Sequence, residues 1–166
     1  MLTGLMGSGK STVGRMLSEQ VSVPFIDTDR EIERLEGRTI REVFAEDGEG
    51  VFRARERDVV RESLREAGGR VIALGGGAFV DPACRDACRS RGAITVYLRS
   101  SPEAIVARLN AEEVATRPLL GEDSLERLRE LLSVREPTYS LAQLAIDTDG
   151  RSAEQVVSEI LVRLDD

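Results

Sequence analysis

Histidine is absent from all 166 residues. Serine–histidine triads and histidine general bases are therefore excluded, and any proton transfer falls to a carboxylate, a lysine or water. Only two cysteines occur, Cys84 and Cys88, four apart in a stretch with helical spacing. They are too few for a disulfide framework and lack the partners of a zinc site, so buried or half-buried free thiols are expected. No apolar run approaches the ~20 residues of a membrane span, and no charged-then-apolar signal opens the chain, so a cytoplasmic protein with no membrane partner is expected. A basic excess is missing too: Lys and Arg number 23 against 30 Asp and Glu, for a formal net charge of −7. Nucleic acid binding rests on a basic footprint, and this chain offers none.

What is present begins at once. Gly4-Leu5-Met6-Gly7-Ser8-Gly9-Lys10-Ser11 is a full match to G-x-x-x-x-G-K-[ST]. Glycines at these points allow successive backbone N–H groups to point inward at the phosphates of a nucleotide. Lys10 would reach the β and γ phosphates, and the Ser11 hydroxyl would ligate Mg²⁺. The motif sits between a short apolar segment, Met1 to Thr3, and Thr12-Val13-Gly14-Arg15-Met16-Leu17, whose apolar residues recur at helical spacing. A helix N-terminus would add partial positive charge to the cradle. The plain alternative is a glycine-rich turn before a helix.

The length predicts one domain over residues 1–166. Short apolar runs alternate with amphipathic stretches, which predicts an α/β fold: a five-stranded parallel sheet between two helical layers. Strands are expected at Met1–Thr3, Pro24–Ile26, Val71–Leu74, Ala93–Leu98 and Leu144–Ile146. Helices are expected at Lys10–Gln20, Asp29–Leu35, Ile40–Glu46, Gly50–Glu66, Pro82–Arg91, Pro102–Asn110, Ser124–Arg135 and Ala153–Leu164. Residues 111–123, charged and centred on Arg117-Pro118, read as a surface loop or mobile lid. Only three residues precede Gly4, so the first strand is expected to be shorter than the usual five or six.

Two further runs end strands. Phe25-Ile26-Asp27-Thr28-Asp29 brings two carboxylates to the carboxyl edge of the sheet, where ligands bind. Alternation along an extended chain would aim both to one side, one toward Mg²⁺ and the other toward a substrate hydroxyl. A helix N-cap by Asp27 or Asp29 is the alternative. Val71-Ile72-Ala73-Leu74-Gly75-Gly76-Gly77 delivers three glycines to the same edge, as a close backbone approach to a ligand or as a flexible turn. No aspartate ends this strand, so the usual Walker B carboxylate is missing and the Asp27 and Asp29 pair is the more necessary. Arg53 and Glu56 stand three apart on one helix face, able to pair. Arg117 and Arg135 complete a set of cations suited to phosphate or carboxylate.

The loop Gly4 to Thr12, the Asp27 and Asp29 run, Phe52-Arg53-x-x-Glu56, Leu74-Gly75-Gly76-Gly77, Thr116-Arg117-Pro118-Leu119-Leu120 and Arg135-x-Pro137-x-Tyr139 occur in this order in shikimate kinases. The chain resembles that family over essentially its whole length. The resemblance implies a three-layer P-loop kinase fold of the nucleoside-monophosphate-kinase type. It also implies ATP-dependent phosphorylation of the 3-hydroxyl of shikimate, on the route to chorismate and aromatic amino acids, by a monomer with small-molecule partners. It implies Lys10, Asp29 and Arg117 as catalytic residues and Ser11 and Asp27 as Mg²⁺ residues. Nucleotide contacts would fall to Gly7, Ser8, Gly9, Lys10, Ser11, Thr12, Arg108, Arg117 and Arg151. Shikimate would meet Asp29, Arg53, Gly75, Gly76, Gly77 and Arg135, with Glu56 orienting that region. The rivals are a gluconate or adenylate kinase on the same fold and a non-catalytic nucleotide- or shikimate-binding module.

Overall fold

The computed structural model describes residues 1–65, 68–109 and 124–165. The expected lid, residues 111–123 with Arg117, lies outside the described residues. Five strands form one wholly parallel sheet: β1 (Leu2–Thr3), β2 (Phe25–Asp27), β3 (Val71–Ala73), β4 (Val96–Arg99) and β5 (Leu144–Asp147), in spatial order 2-3-1-4-5. Each is at most four residues long, and β1 has two. Its brevity does not break the sheet. Leu2 stands opposite both Ala73 and Val96, and the ladder is extended by Val96 N–H donating to Met1 O (2.8 Å) and Leu74 N–H donating to Leu2 O (3.0 Å).

Among the described residues, seven α-helices connect and cover the strands: α1 (Lys10–Gln20), α2 (Thr28–Glu36), α3 (Ile40–Ser63), α4 (Pro82–Ser90), α5 (Pro102–Arg108), α6 (Ser124–Tyr139) and α7 (Ala153–Asp165). Strand alternation divides the core in two. Val71, Val96 and Leu98 join Leu17 of α1 and Val157 and Ile160 of α7 on one face. Ile72, Leu74 and Tyr97 turn the other way, toward Val60 of α3, Cys84 of α4, Ile105 of α5 and Leu128 and Tyr139 of α6. A third apolar cluster, Ile32, Val43, Phe52 and Val59, lies between α2 and α3. Both cysteines are buried free thiols, as expected.

The two helices expected at 40–46 and 50–66 are the two arms of α3, which meet at a kink where Gly48 leaves the helical conformation at φ 81°, ψ 169°. Thr39 and Glu42 start α3 with a reciprocal capping box. Helix α6 continues past Arg135 through Pro137 to Tyr139, which carries Arg135 and Tyr139 on the same face, one turn apart.

One contact gives the first layer little room. A Cβ on Gly14 of α1 would stand 2.5 Å from Phe25 Cε2 and 3.2 Å from Leu2 Cδ1. Gly14→Ala is expected to cost about 1–3 kcal/mol through overpacking, outweighing the ~1 kcal/mol gained in helix propensity. Thermal unfolding should register this as a lowered midpoint. A midpoint at or above that of the parent would mean that α1 shifts freely on β2.

Candidate active site

The carboxyl ends of β1, β2 and β3 open into a cleft of about 980 Å³, lined by residues of the glycine-rich loop, α1, α2, α3, the 75–77 turn and Arg135. The loop after β1 enters α1 through Gly9, whose φ of 92° is left-handed, as is Gly7 at 76°. An L side chain is strained at either position. Among the described residues no side chain caps α1, so its first N–H groups face the cleft mouth and favour an anion there. Lys10 Nζ folds back over the loop and donates to Gly4 O (2.9 Å) and Leu5 O (2.8 Å). Ser8 is buried and Thr12 lines the cleft.

Asp27, the last residue of β2, serves two partners. Its Oδ2 accepts from the Ser11 hydroxyl at 2.5 Å, and its Oδ1 caps α2 by accepting from the backbone N–H of Asp29 (3.1 Å) and Arg30 (3.4 Å). The cap and the link to the glycine loop coexist, so the two readings of this run are not exclusive. Asp29 lies in the first turn of α2 rather than on an extended strand. Helix geometry, not strand alternation, brings it to the cleft. Burial chiefly, and then the charges of Asp27 and Glu56, push the Asp29 carboxyl up to about 6 against the pull of Lys10.

The glycine triplet is shaped by the charges that cross it. A Cβ on Gly75 would collide with Asp29 Oδ1 and meet Glu56 Oε1 at 2.7 Å; one on Gly77 would collide with the Arg53 guanidinium. At Gly75 and Gly77, carboxylates and a guanidinium occupy the space a side chain would need, whereas Gly76 meets its nearest neighbour at 3.5 Å. The turn is also tethered. Gly75 N–H donates to the buried Thr28 hydroxyl (2.8 Å), while Gly76 O accepts from Arg135 Nη1 (3.1 Å) and from the Tyr139 hydroxyl.

Arg53 Nη1 donates to Glu56 Oε2 at 2.7 Å, and Glu56 is 1% exposed. Burial raises the Glu56 carboxyl above its ordinary range despite Arg53 beside it. Phe44 and Phe52, with ring centroids 4.5 Å apart, form an apolar wall next to this pair, and the Arg53 guanidinium lies 5.2 Å from the Phe52 centroid. The sequence reading assigns no role to this wall. Two phenylalanines eight apart across the glycines at 48 and 50 are its signal there.

Arg108 reaches the cleft rim but is held from the sheet side. Its guanidinium donates to Ser100 Oγ (3.1 Å), Thr148 Oγ1 (3.3 Å) and Thr148 O (2.5 Å). Arg151 does not line the cleft; it donates to Asp147 O (3.0 Å), Gln155 O (3.1 Å) and Glu159 Oε2 (2.5 Å).

A left-handed glycine loop with its lysine, a hydroxyl–carboxylate pair at the adjacent strand end, and a separate arginine-lined lobe share one cleft. With the 2-3-1-4-5 sheet, they define a P-loop kinase. The family model for shikimate kinase matches residues 6–165. The chain is 45% identical to the shikimate kinase of Symbiobacterium thermophilum, covering 99% of this chain and 94% of that one. It is 44% identical to that of Thermus thermophilus, covering 98% and 88%. Among solved structures, shikimate kinase from Acinetobacter baumannii in complex with shikimate superposes with a TM-score of 0.89 at 37% identity, covering 98% of this chain and 90% of that one. A gluconokinase from Sinorhizobium meliloti 1021, at 20% identity and a TM-score of 0.54, shares the fold alone. The chain belongs to the shikimate kinase family.

Proposed function

We propose that this chain transfers the γ-phosphoryl group of ATP to the 3-hydroxyl of shikimate, giving shikimate 3-phosphate and ADP. The observation that carries the reading is the convergence of Arg53, Arg135 and Asp29 on the glycine turn, in the same cleft as Lys10. Shikimate is a carboxylate with vicinal hydroxyls. Two guanidiniums take the carboxylate and Asp29 accepts from a hydroxyl. Glu56, paired with Arg53, keeps that guanidinium aimed at the lobe.

At the other end, Lys10 exchanges the carbonyls of Gly4 and Leu5 for the β and γ phosphates, which the N–H groups of Gly7 to Thr12 surround. Ser11 and Asp27 hold Mg²⁺ in this reading. One hydroxyl and one carboxylate suit an ion that keeps most of its shell as water and phosphate oxygens. When bound, Mg²⁺ neutralises phosphate charge. Arg108 and Arg151 are assigned to the nucleotide, and Arg117 to the migrating phosphoryl group, on the family resemblance alone. Asp29 orients the acceptor hydroxyl and takes its proton, with an acidity between that of an ordinary carboxylate and neutrality. Phosphoryl transfer has a loose transition state, so positioning and charge neutralisation supply most of the acceleration. The enzyme is further proposed to act as a single-domain monomer in the cytoplasm.

The test is ADP release by purified protein with ATP and Mg²⁺, offered shikimate, quinate, gluconate, AMP or no acceptor. Saturable turnover with shikimate alone is expected. Turnover with gluconate or AMP in its place would reassign the acceptor. A cooperatively melting, ATP-binding protein that is silent with all of them would be a binding module.

A further inference from the structure

Gly76 O is an acceptor in the cleft wall that Arg135 shares with a second, fully buried side chain. Arg135 Nη1 donates to it at 3.1 Å, and the hydroxyl of Tyr139, itself 0% exposed, donates to it as well. The two donors sit one turn apart on α6. A carbonyl oxygen has two lone pairs and accepts two donors without conflict. Arg135 spends one of its five N–H donors on Gly76 and keeps the others for an incoming carboxylate, so the position of that carbonyl sets where the guanidinium fork points. With the phenol in place the carbonyl is held from two sides; without it Arg135 is its one side-chain donor among the described residues and the turn is less firmly fixed.

We infer that Tyr139 is a positioning residue for the acceptor substrate: its hydroxyl anchors the Gly76 carbonyl on which Arg135 rests, and so keeps the guanidinium aimed at the substrate carboxylate. The inference rests on the proposed role of Arg135 in shikimate binding. Tyr139 acts without touching either substrate, and its signature is a shift in one KM. The aromatic ring has a separate structural task, packing against Tyr97 with centroids 5.2 Å apart. Tyr139→Phe retains that packing and removes only the donor.

The experiment compares the parent enzyme, Tyr139→Phe, Arg135→Ala and the double variant in steady-state kinetics with each substrate varied, after a thermal melt of each. Tyr139→Phe is expected to raise the KM for shikimate roughly five- to tenfold, the worth of one hydrogen bond. The KM for ATP and kcat should stay within about twofold. Because Tyr139 acts through Arg135, the double variant should be no worse for shikimate than Arg135→Ala alone. An unchanged shikimate KM in Tyr139→Phe, a matching rise for ATP, or additive effects in the double variant would overturn the inference. So would a Tyr139→Phe protein that no longer melts cooperatively, since the hydroxyl would then be holding the fold. If Arg135→Ala itself leaves the shikimate KM unchanged, the fault lies with the proposed role of Arg135, whatever Tyr139→Phe does.

Discussion

Asp29→Asn is expected to lower kcat by roughly 10²- to 10⁴-fold, the worth of a positioned proton acceptor, while making the ligand-free protein harder to unfold. The second effect follows from the direction of the shift at Asp29, from 3.8 to about 6. An acid whose pKa is raised by folding disfavours the fold wherever it is ionised. The penalty is fully present above about pH 6, shrinks as pH falls, and is gone below the unfolded value near 4. A shift of this size corresponds to on the order of 3 kcal/mol at neutral pH. Asparagine is neutral throughout and escapes it. Melts of parent and variant should therefore differ at pH 7.5, with the variant higher, and converge below about pH 4. Near-normal turnover would remove Asp29 from the reaction. A stability gain of equal size at both pH values would show that charge is not its source.

Arg135→Ala should raise the KM for shikimate by roughly 10- to 100-fold, since hydrogen bonds to a charged group contribute about 1.5–3 kcal/mol. The KM for ATP should change little, because Arg135 borders the 76–77 turn rather than the glycine loop. Stability should hardly move. Truncation leaves Gly76 O with its bond from Tyr139, so no acceptor is stranded. Initial-rate measurements with each substrate varied in turn decide the matter. Equal increases for both substrates would mean that Arg135 supports the cleft as a whole.

Local chemistry makes some of this site legible in sequence. The glycine loop declares itself because its residues act on one another within eight positions: the same glycines that permit left-handed φ set Lys10 at the head of α1. Asp27 is legible for a sound reason, as the end of a strand in an open α/β sheet. Asp29 is legible for a mistaken one, since it sits on a helix where extended alternation is expected. Long-range partners stay hidden. Arg108 is fastened to Thr148, 40 residues on, and the Gly75 N–H to Thr28, 47 residues back; no window of periodicity spans such distances. Helix α6 is expected to stop at Arg135 because Pro137 normally breaks a helix. Its continuation to Tyr139 is supported by Tyr139 and Leu128, both wholly buried in the larger core, where tertiary packing outweighs the local penalty.

The turn at residues 75–77 also constrains how this enzyme can diverge. Its inner surface is bare main chain framed by Asp29, Glu56, Arg53 and Arg135, so it has no side chain of its own to exchange for another. Adding even a methyl group at Gly75 or Gly77 displaces a neighbouring charge before it offers a new contact. Adaptation to a different acceptor is thereby confined to the surrounding charged residues and the Phe44–Phe52 wall. Because Arg53 and Glu56 are paired, a productive change at one of them calls for a matching change at the other. Recognition in this lobe evolves by coupled steps, because a side chain at Gly75 or Gly77 requires a neighbouring charge to move with it.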